Sequence, residues 1–395
     1  MAERFERGSV IAFRLASHHL DVPLGERDLL TAAGRCGIQD TPPGSALLAL
    51  HARVQGISAG TVTGAVEDRS MLRTWSMRGA PYVVPTADAD VYTTGVLPPT
   101  ETALRHFVQG VEPAVDRLGL TLSEVVDIVA AATREVLPGR RLAINELGAE
   151  VAELILPRLT APQREIWIED GPYAEGQSIG EAVVHFCVRA LALRRIVCFA
   201  PRAGNQAPFV LTEEWLGHPV AEVDPAVSRA ELLRRYLRCY GPSTRGDFAA
   251  WLGVRAGDVD PWWGCLEGEL VEVDAGRTAS VLASDLDTLR TSTMPSGVRL
   301  LPPRDPYTQL RDRETIVDEA HLRDIWRTSG DPGTVLVDGE IIGTWRPRKR
   351  GHELRIDLTT FQALSRDRKE ALAAEAERIG PLRSASSVAV DFATH

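Results

Sequence analysis

The stretch VSRAELLRRYLRCYGPSTRGDFAAWLGVRAGDVDPWWGCLEGELVEVDAGRTASVL, from Val227 to Leu282, decides the fold. Leu232, Leu233, Tyr236 and Leu237 fall on one face at helical spacing, which predicts a helix over Val227–Cys239. Gly241-Pro242 breaks it, and Ser243 or Thr244 then caps a second helix, Asp247–Leu252. A third helix is expected over Asp258–Glu267, with Pro261 in its first turn, where proline is tolerated. Glu269–Val273 alternates as a strand, Asp274-Ala275-Gly276 turns the chain, and Thr278–Leu282 returns. Three helices closed by a two-stranded ribbon have the layout of a winged helix, a variant of the helix-turn-helix. Trp251, Trp262 and Trp263 fall at the helix turns of this cycle and are expected in its core.

Upstream, the same order recurs. Val10–Ser17, Gly25–Gly34 and Gly44–Val54 read as helices, followed by strands at Gly60–Val66 and Met71–Val84 around an Asp68-Arg69-Ser70 turn. A second cycle reads as helices at Ser123–Glu135, Glu146–Leu156 and Gly176–Leu193, with a ribbon at Arg195–Ala200 and Phe209–Thr212. Downstream, the tail changes character. Strands are expected at Val298–Leu301, Thr334–Val337, Glu340–Trp345 and Leu354–Leu358, with Asp338-Gly339 as a hairpin turn and a closing helix at Arg366–Ile379. The expected class is α+β: tandem winged-helix modules over 1–118, 119–222 and 223–292, then a small β-rich module over 293–395.

Composition narrows the class further. At roughly 150 residues per domain, 395 residues suggest two or three domains and a core that needs no staple. Hydrophobic residues at 44% and charged residues at 25% describe an ordinary globular chain and exclude disorder and coiled coil. The apolar run Ala182–Leu193 is cut by His185 and Arg189, so no membrane span or membrane partner is expected, and the charged start MAERFERGSV does not read as a secretory signal. Five scattered cysteines (Cys36, Cys187, Cys198, Cys239, Cys265) fit reduced thiols in a cytoplasm, and His18, His19 and His51 lack a partner at metal-binding spacing. The net charge of −10 disfavours a protein that coats nucleic acid indiscriminately but leaves room for a local basic face. No P-loop, dinucleotide fingerprint or serine-hydrolase elbow is present, so nucleotide-dependent and serine-hydrolase chemistry are disfavoured.

Several short motifs stand in a telling order. They are Gly37-Ile38-Gln39, then Ala46-Leu47 with Ala52-Arg53, and Arg73-Thr74-Trp75-Ser76-Met77-Arg78-Gly79. Tyr236-Leu237, Tyr240-Gly241-Pro242, Asp247-Phe248-Ala249 and Trp251 follow, then Leu300-Leu301-Pro302, Asp305-Pro306-Tyr307, Val337-Asp338-Gly339 and Gly343-Thr344-Trp345-Arg346. From about Ile11 to Ile379 the chain resembles the winged-helix DNA glycosylases of the AlkZ and YcaQ type. The resemblance implies hydrolysis of the N-glycosidic bond of bulky N7-alkylated purines or cross-links, in repair or genotoxin self-resistance. It implies a monomer acting on double-stranded DNA that carries alkylated bases, with no cofactor and no metal.

Alkylation at N7 makes the purine a cationic leaving group. The protein is then left to place a water at the sugar carbon and to stabilise an oxocarbenium-like sugar, a task akin to glycoside hydrolysis. In the family that task falls to glutamine, a hydrophobic residue, then glutamine or aspartate; the matching positions here are Gln39, Asp40 and Thr41. Gln39 is retained and offers both a carbonyl and an amide to a water. Thr41 replaces the group that would share the water, and Asp40 brings a carboxylate where the family has an apolar residue. Asp40-Thr41-Pro42-Pro43-Gly44 therefore reads either as a catalytic loop or as a helix cap and turn, and the sequence leaves both open. So does function at large: a glycosylase, a DNA-binding protein without chemistry, or a protein that sequesters a DNA-reactive compound.

Other residues carry single expectations. Where relatives commonly read arginine-glycine-threonine-x-histidine, this chain reads Arg78-Gly79-Ala80-Pro81-Tyr82. Arg78 is a candidate phosphate contact and Tyr82 a candidate to stack on an extruded base. The basic run Arg346-Pro347-Arg348-Lys349-Arg350 is expected on a loop, where Arg346, Arg348, Lys349 and Arg350 would meet phosphates. Arg234, Arg235 and Arg238 read as a salt-bridged helix face, and Asp305 as a turn cap or a group facing DNA.

Overall fold

The computed structural model describes residues 2–202 and 204–394. They form two compact units: one built from the chain up to Ala65 with Leu233–Phe248 and the segment from Leu266 onward, the other from Val66–Leu232 with Ala249–Cys265. Helices and several small sheets mix in one α+β architecture. None of the described helices is long and apolar enough to cross a membrane.

In the first unit, the helix Arg7–Ser17 buries Val10, Ile11, Phe13 and Leu15. Val10 and Phe13 join Phe5, Val273, Val281 and Leu289 in one apolar cluster against the ribbon Leu270–Asp274 and Thr278–Leu282. Glu3–Arg4 adds a third strand, parallel, with Glu3 opposite Val273. The larger sheet has five strands in the order Ser387–Thr394, Glu353–Thr360, Glu340–Arg350, Gly333–Val337, Val298–Leu301. The closing helix Arg366–Leu382 covers it through Leu372, Ala376 and Ile379, which pack with Trp345, Ile356 and Leu358. Leu48, from the helix Ser45–His51, reaches into that same cluster and ties the segment after Gln39 to the sheet.

In the second unit, the helices Leu122–Val136, Ile144–Ile155 and Ile179–Leu193 pack together. Thr121 and Glu124 close a capping box on the first of them, satisfying amides that a helix start leaves open. Gly180 sits where a Cβ would lie 2.3 Å from the Trp167 indole, so only glycine lets Trp167 donate to the Ala152 carbonyl at 3.0 Å. Two hairpins complete the unit: Met71–Trp75 with Pro81–Pro85, and Val197–Phe199 with Phe209–Leu211.

Three sequence readings are corrected. Gly60–Val66 is no strand: it lies in the helix Thr61–Glu67, with Val62, Ala65 and Val66 buried at helical spacing. The first hairpin therefore turns at residues 76–80 and not at Asp68-Arg69-Ser70. The third helix of the cycle around Trp262 is short, Asp260–Trp263 flanked by 3-10 turns. Finally, the basic run does not lie on a loop; Arg346 to Arg350 continue the strand Glu340–Arg350 and pair with Glu353–Thr360.

Candidate functional site

Gln39 ends a two-residue strand, Ile38–Gln39, behind Gly37, whose φ of 68° lets the chain turn into it. Its neighbours fix the segment rigidly. Ile38 is fully buried, Gln39 is 2% exposed and Asp40 4% exposed. The Asp40 carboxylate accepts from the backbone amides of Gly44 at 2.8 Å and Ala46 at 3.2 Å, which opens the helix Ser45–His51 with a capping interaction. A carboxylate so engaged and buried has a structural task. Gly44 adopts φ 88°, left-handed backbone that glycine takes at little cost. Thr41 is half-buried, and its Oγ1 is enclosed without a hydrogen-bond partner among the described residues. Thr41 Oγ1 thus keeps open bonding capacity two residues along the chain from the buried Gln39 side chain.

The same unit holds a buried ion pair that no sequence motif signals. Arg53 and Asp305 meet through two hydrogen bonds of 2.7 and 2.8 Å, and Arg53 also donates to the Ala49 carbonyl at 2.7 Å. Burial works against the Arg53 charge, but Asp305 more than offsets it and holds the guanidinium pKa above its ordinary value. Asp305 also accepts from the Tyr307 amide at 2.9 Å. It caps a turn, as one of the two readings had it, and at 0% exposure it faces no cleft. Both residues stood in the motif series, yet only a fold places positions 252 apart in contact.

In the second unit, Arg78 sits at the hairpin turn with φ 57°. It donates to the Trp251 carbonyl and, at 2.6 Å, to the Tyr82 hydroxyl. Gly253 lets the backbones approach, since a Cβ there would lie 2.9 Å from the Arg78 Cα. Tyr82 is 2% exposed, so the stacking role expected of it is corrected: its ring faces the protein interior, and its hydroxyl serves Arg78. Trp251 and Trp262 are core, as expected, whereas Trp263 is only half-buried; Trp262 donates to the Gly95 carbonyl at 2.6 Å.

The basic strand presents the opposite environment. Arg346, Arg348, Lys349 and Arg350 are exposed, and strand alternation puts the three arginines on one face and Lys349 on the other. Arg348 lies across from Arg355, and both are partly balanced: Arg348 meets Asp357 at 2.7 Å and Arg355 meets Asp391 at 3.2 Å. Arg346 donates to the Gly330 carbonyl at 2.7 Å. The helix face expected to be salt-bridged is so: Arg234 holds Glu269 at 2.6 Å, Arg238 lies 3.8 Å from Asp285, and Arg235 donates to the Gly34 carbonyl.

Comparison with known proteins agrees with these motifs. Residues 33–382 match the family described as DNA glycosylase AlkZ-like. A curated relative, an interstrand DNA cross-link repair glycosylase from Streptomyces sahachiroi, is 26% identical over 346 residues, covering 85% of this chain and 86% of its own. The solved structure of the Streptomyces sahachiroi DNA glycosylase AlkZ superposes with a TM-score of 0.75 at 23% identity, covering 98% of this chain and 100% of that one. The matched span takes in the buried Gln39 segment, the Arg78 hairpin, the Arg53–Asp305 pair and the basic strand, and the chain belongs to the DNA glycosylase AlkZ-like family.

Proposed function

We propose that this chain is a monofunctional DNA glycosylase that removes bulky N7-alkylated purines, cross-linked ones included, from double-stranded DNA. The observation that carries the reading is the Gln39 segment: a glutamine amide at 2% exposure, two residues from an enclosed hydroxyl with bonding capacity to spare. Gln39 accepts from and donates to the attacking water, and Thr41 supplies the second point of contact that the family places at this position. Fixing the water at two points removes rotational freedom that a single contact leaves. Asp40 acts as the cap of the following helix, and its charge close to the site favours the oxocarbenium-like sugar. Arg78 and the exposed Arg346, Arg348, Lys349 and Arg350 contact phosphate. The relative named for interstrand cross-link repair supports a bulky lesion as substrate, and five free cysteines fit a reducing cytoplasm. The protein acts as a monomer.

A second reading has one observation in its favour. The Asp40 carboxylate is engaged by backbone amides, and Thr41 is not basic, so a protein that binds damaged DNA or sequesters the damaging compound without chemistry is the alternative. A duplex carrying N7-methylguanine or a bulky N7 adduct separates the two. Wild type should leave abasic sites that alkali cleaves, and Gln39→Ala should not. Binding without abasic product on any N7 adduct would leave the second reading standing.

A further inference from the structure

The first unit gathers three side chains that are far apart in sequence: His18, Cys36 and Cys239. Each comes from a different element. His18 caps the C-terminus of the helix Arg7–Ser17, Cys36 lies just past the helix Leu29–Gly34, and Cys239 sits in the last turn of the helix Pro225–Tyr240. All three are buried, and one potential ligand atom from each lies within 4.8 Å of the other two. His18 Nδ1 stands 3.7 Å from Cys36 Sγ, and Cys239 Sγ donates to the Arg35 carbonyl at 3.7 Å. A tetrahedral cation holding a thiolate at about 2.3 Å and an imidazole at about 2.05 Å sets those two ligand atoms about 3.6 Å apart. The His18–Cys36 edge therefore already has the length of a coordination edge, and Cys239 closes the triangle with every ligand atom within 4.8 Å of the others.

We propose that His18, Cys36 and Cys239 bind a thiophilic d10 cation, Zn²⁺ or Cu⁺, which clips the chain leading into Gln39 to two helices. The donor set makes the choice of class. Two thiolates and an imidazole favour soft or borderline cations, whereas Mg²⁺ and Ca²⁺ take oxygen ligands. Charge favours Zn²⁺ of the two: two thiolates neutralise a dication, so the buried site carries no net charge, whereas Cu⁺ leaves one negative charge; the neighbouring Arg53 is already matched by Asp305. Binding expels two thiol protons to solvent and leaves the imidazole neutral. The Tyr240 and Tyr307 rings stand edge-on to His18 at centroid distances of 5.2 and 5.6 Å and fix the imidazole plane. Cys36 precedes Gln39 by three positions, so the clip would bear on the candidate catalytic segment, yet it holds whether or not the chain is a glycosylase.

The test uses the full chain and no activity readout. Purified protein, or protein reconstituted with Zn²⁺, is assayed for zinc and copper by mass spectrometry. About one equivalent of either metal is expected, lost in Cys36→Ser and Cys239→Ser and kept in Cys265→Ser. Replacement by Co²⁺ should bring thiolate-to-cobalt charge-transfer bands and intense tetrahedral visible bands. In case a cysteine variant fails to fold, X-ray absorption on the wild type at the metal edge gives an independent answer. Two sulfur scatterers and one nitrogen scatterer uphold the site; sub-stoichiometric metal after reconstitution, or a shell of oxygen alone, overturns it.

Discussion

Two short segments of the first unit drew attention as sequence, Gln39 to Thr41 and Arg346 to Arg350, and both read as loops. The structure sends them opposite ways. The first is sunk into the protein, its carboxylate spent on capping a helix and its polar groups enclosed. The second is an exposed strand whose charges stand in solvent, partly balanced by Asp357. Chemistry at a sugar carbon calls for a preorganised, enclosed pair of polar groups, since only fixed dipoles gain strength in a dry site. Phosphate attraction calls for nothing of the sort. It is long-ranged, tolerant of geometry and erased by salt. On the glycosylase reading proposed above, rate therefore falls to the first segment and affinity to the second.

The largest expected effect tests whether the buried segment depends on its frame. Truncating Arg53 to Met strands the Asp305 carboxylate in the interior, a change that typically costs about 3–5 kcal/mol. Urea unfolding should show that loss, and a cost under about 1 kcal/mol would mean the segment is held in some other way. Next comes the basic strand. Reversing Arg348, Lys349 and Arg350 should flatten the log–log salt dependence of DNA binding by about 2.7 if all three meet phosphate, or about 1.8 if Asp357 keeps Arg348. Binding isotherms across a salt series decide this, and an unchanged slope would assign the strand to solvent. Asp40→Ala is smaller: losing the acceptor for the Gly44 and Ala46 amides at the helix start costs about 1 kcal/mol, as for a lost capping acceptor. That change should lower stability more than it lowers the rate per folded molecule; the reverse pattern would make Asp40 the working base.

A last, weakest effect lies away from both segments. Burial opposes ionisation of Glu101, but hydrogen bonds from Ser123, Arg105 and the Leu122 amide bring its pKa down to about 2 from an ordinary 4.5. A carboxylate depressed in the folded state stabilises it above the ordinary value and loses that contribution as pH falls toward 2. Glu101 is a third exposed, so solvent screens much of the effect. Glu101→Gln should therefore lower stability slightly near neutrality, a difference that shrinks as pH falls from about 4.5 toward 2 in pH-dependent unfolding, so the acid limb is slightly flattened.

Local pattern explains what was legible in the sequence. The helices around Leu233 and Val126 and the ribbon at Val273 and Val281 announce themselves because one periodic face is apolar over enough residues. Gly60–Val66 reads as a strand through its β-branched Thr61, Val62, Thr63 and Val66, whereas the spacing of the buried Val62, Ala65 and Val66 is helical. In the strand Ser387–Thr394 Val388, Val390 and Phe392 alternate, but its parallel pairing with Glu353–Thr360 has no local marker in the sequence. In the site, the choice between cap and catalysis for Asp40 turned on which amides its carboxylate meets, which only the fold decides. Tyr82 reads as a stacking residue until its burial is seen. The Arg53–Asp305 pair and the His18, Cys36 and Cys239 triangle were invisible for the same reason: sequence spacing says nothing about positions joined through three separate elements.

The assignment of rate to the Gln39 segment and affinity to the basic strand is tested most directly by single-turnover cleavage of an N7-alkylated duplex at saturating protein. Two variants are compared with wild type: Gln39→Ala and the triple reversal of Arg348, Lys349 and Arg350. The account predicts that Gln39→Ala slows abasic-site formation by about 10²–10⁴-fold with its binding slope intact, while the triple reversal keeps the saturated rate within about threefold of wild type. Abasic product that survives Gln39→Ala, or a saturated rate that collapses with the strand charges, would contradict it.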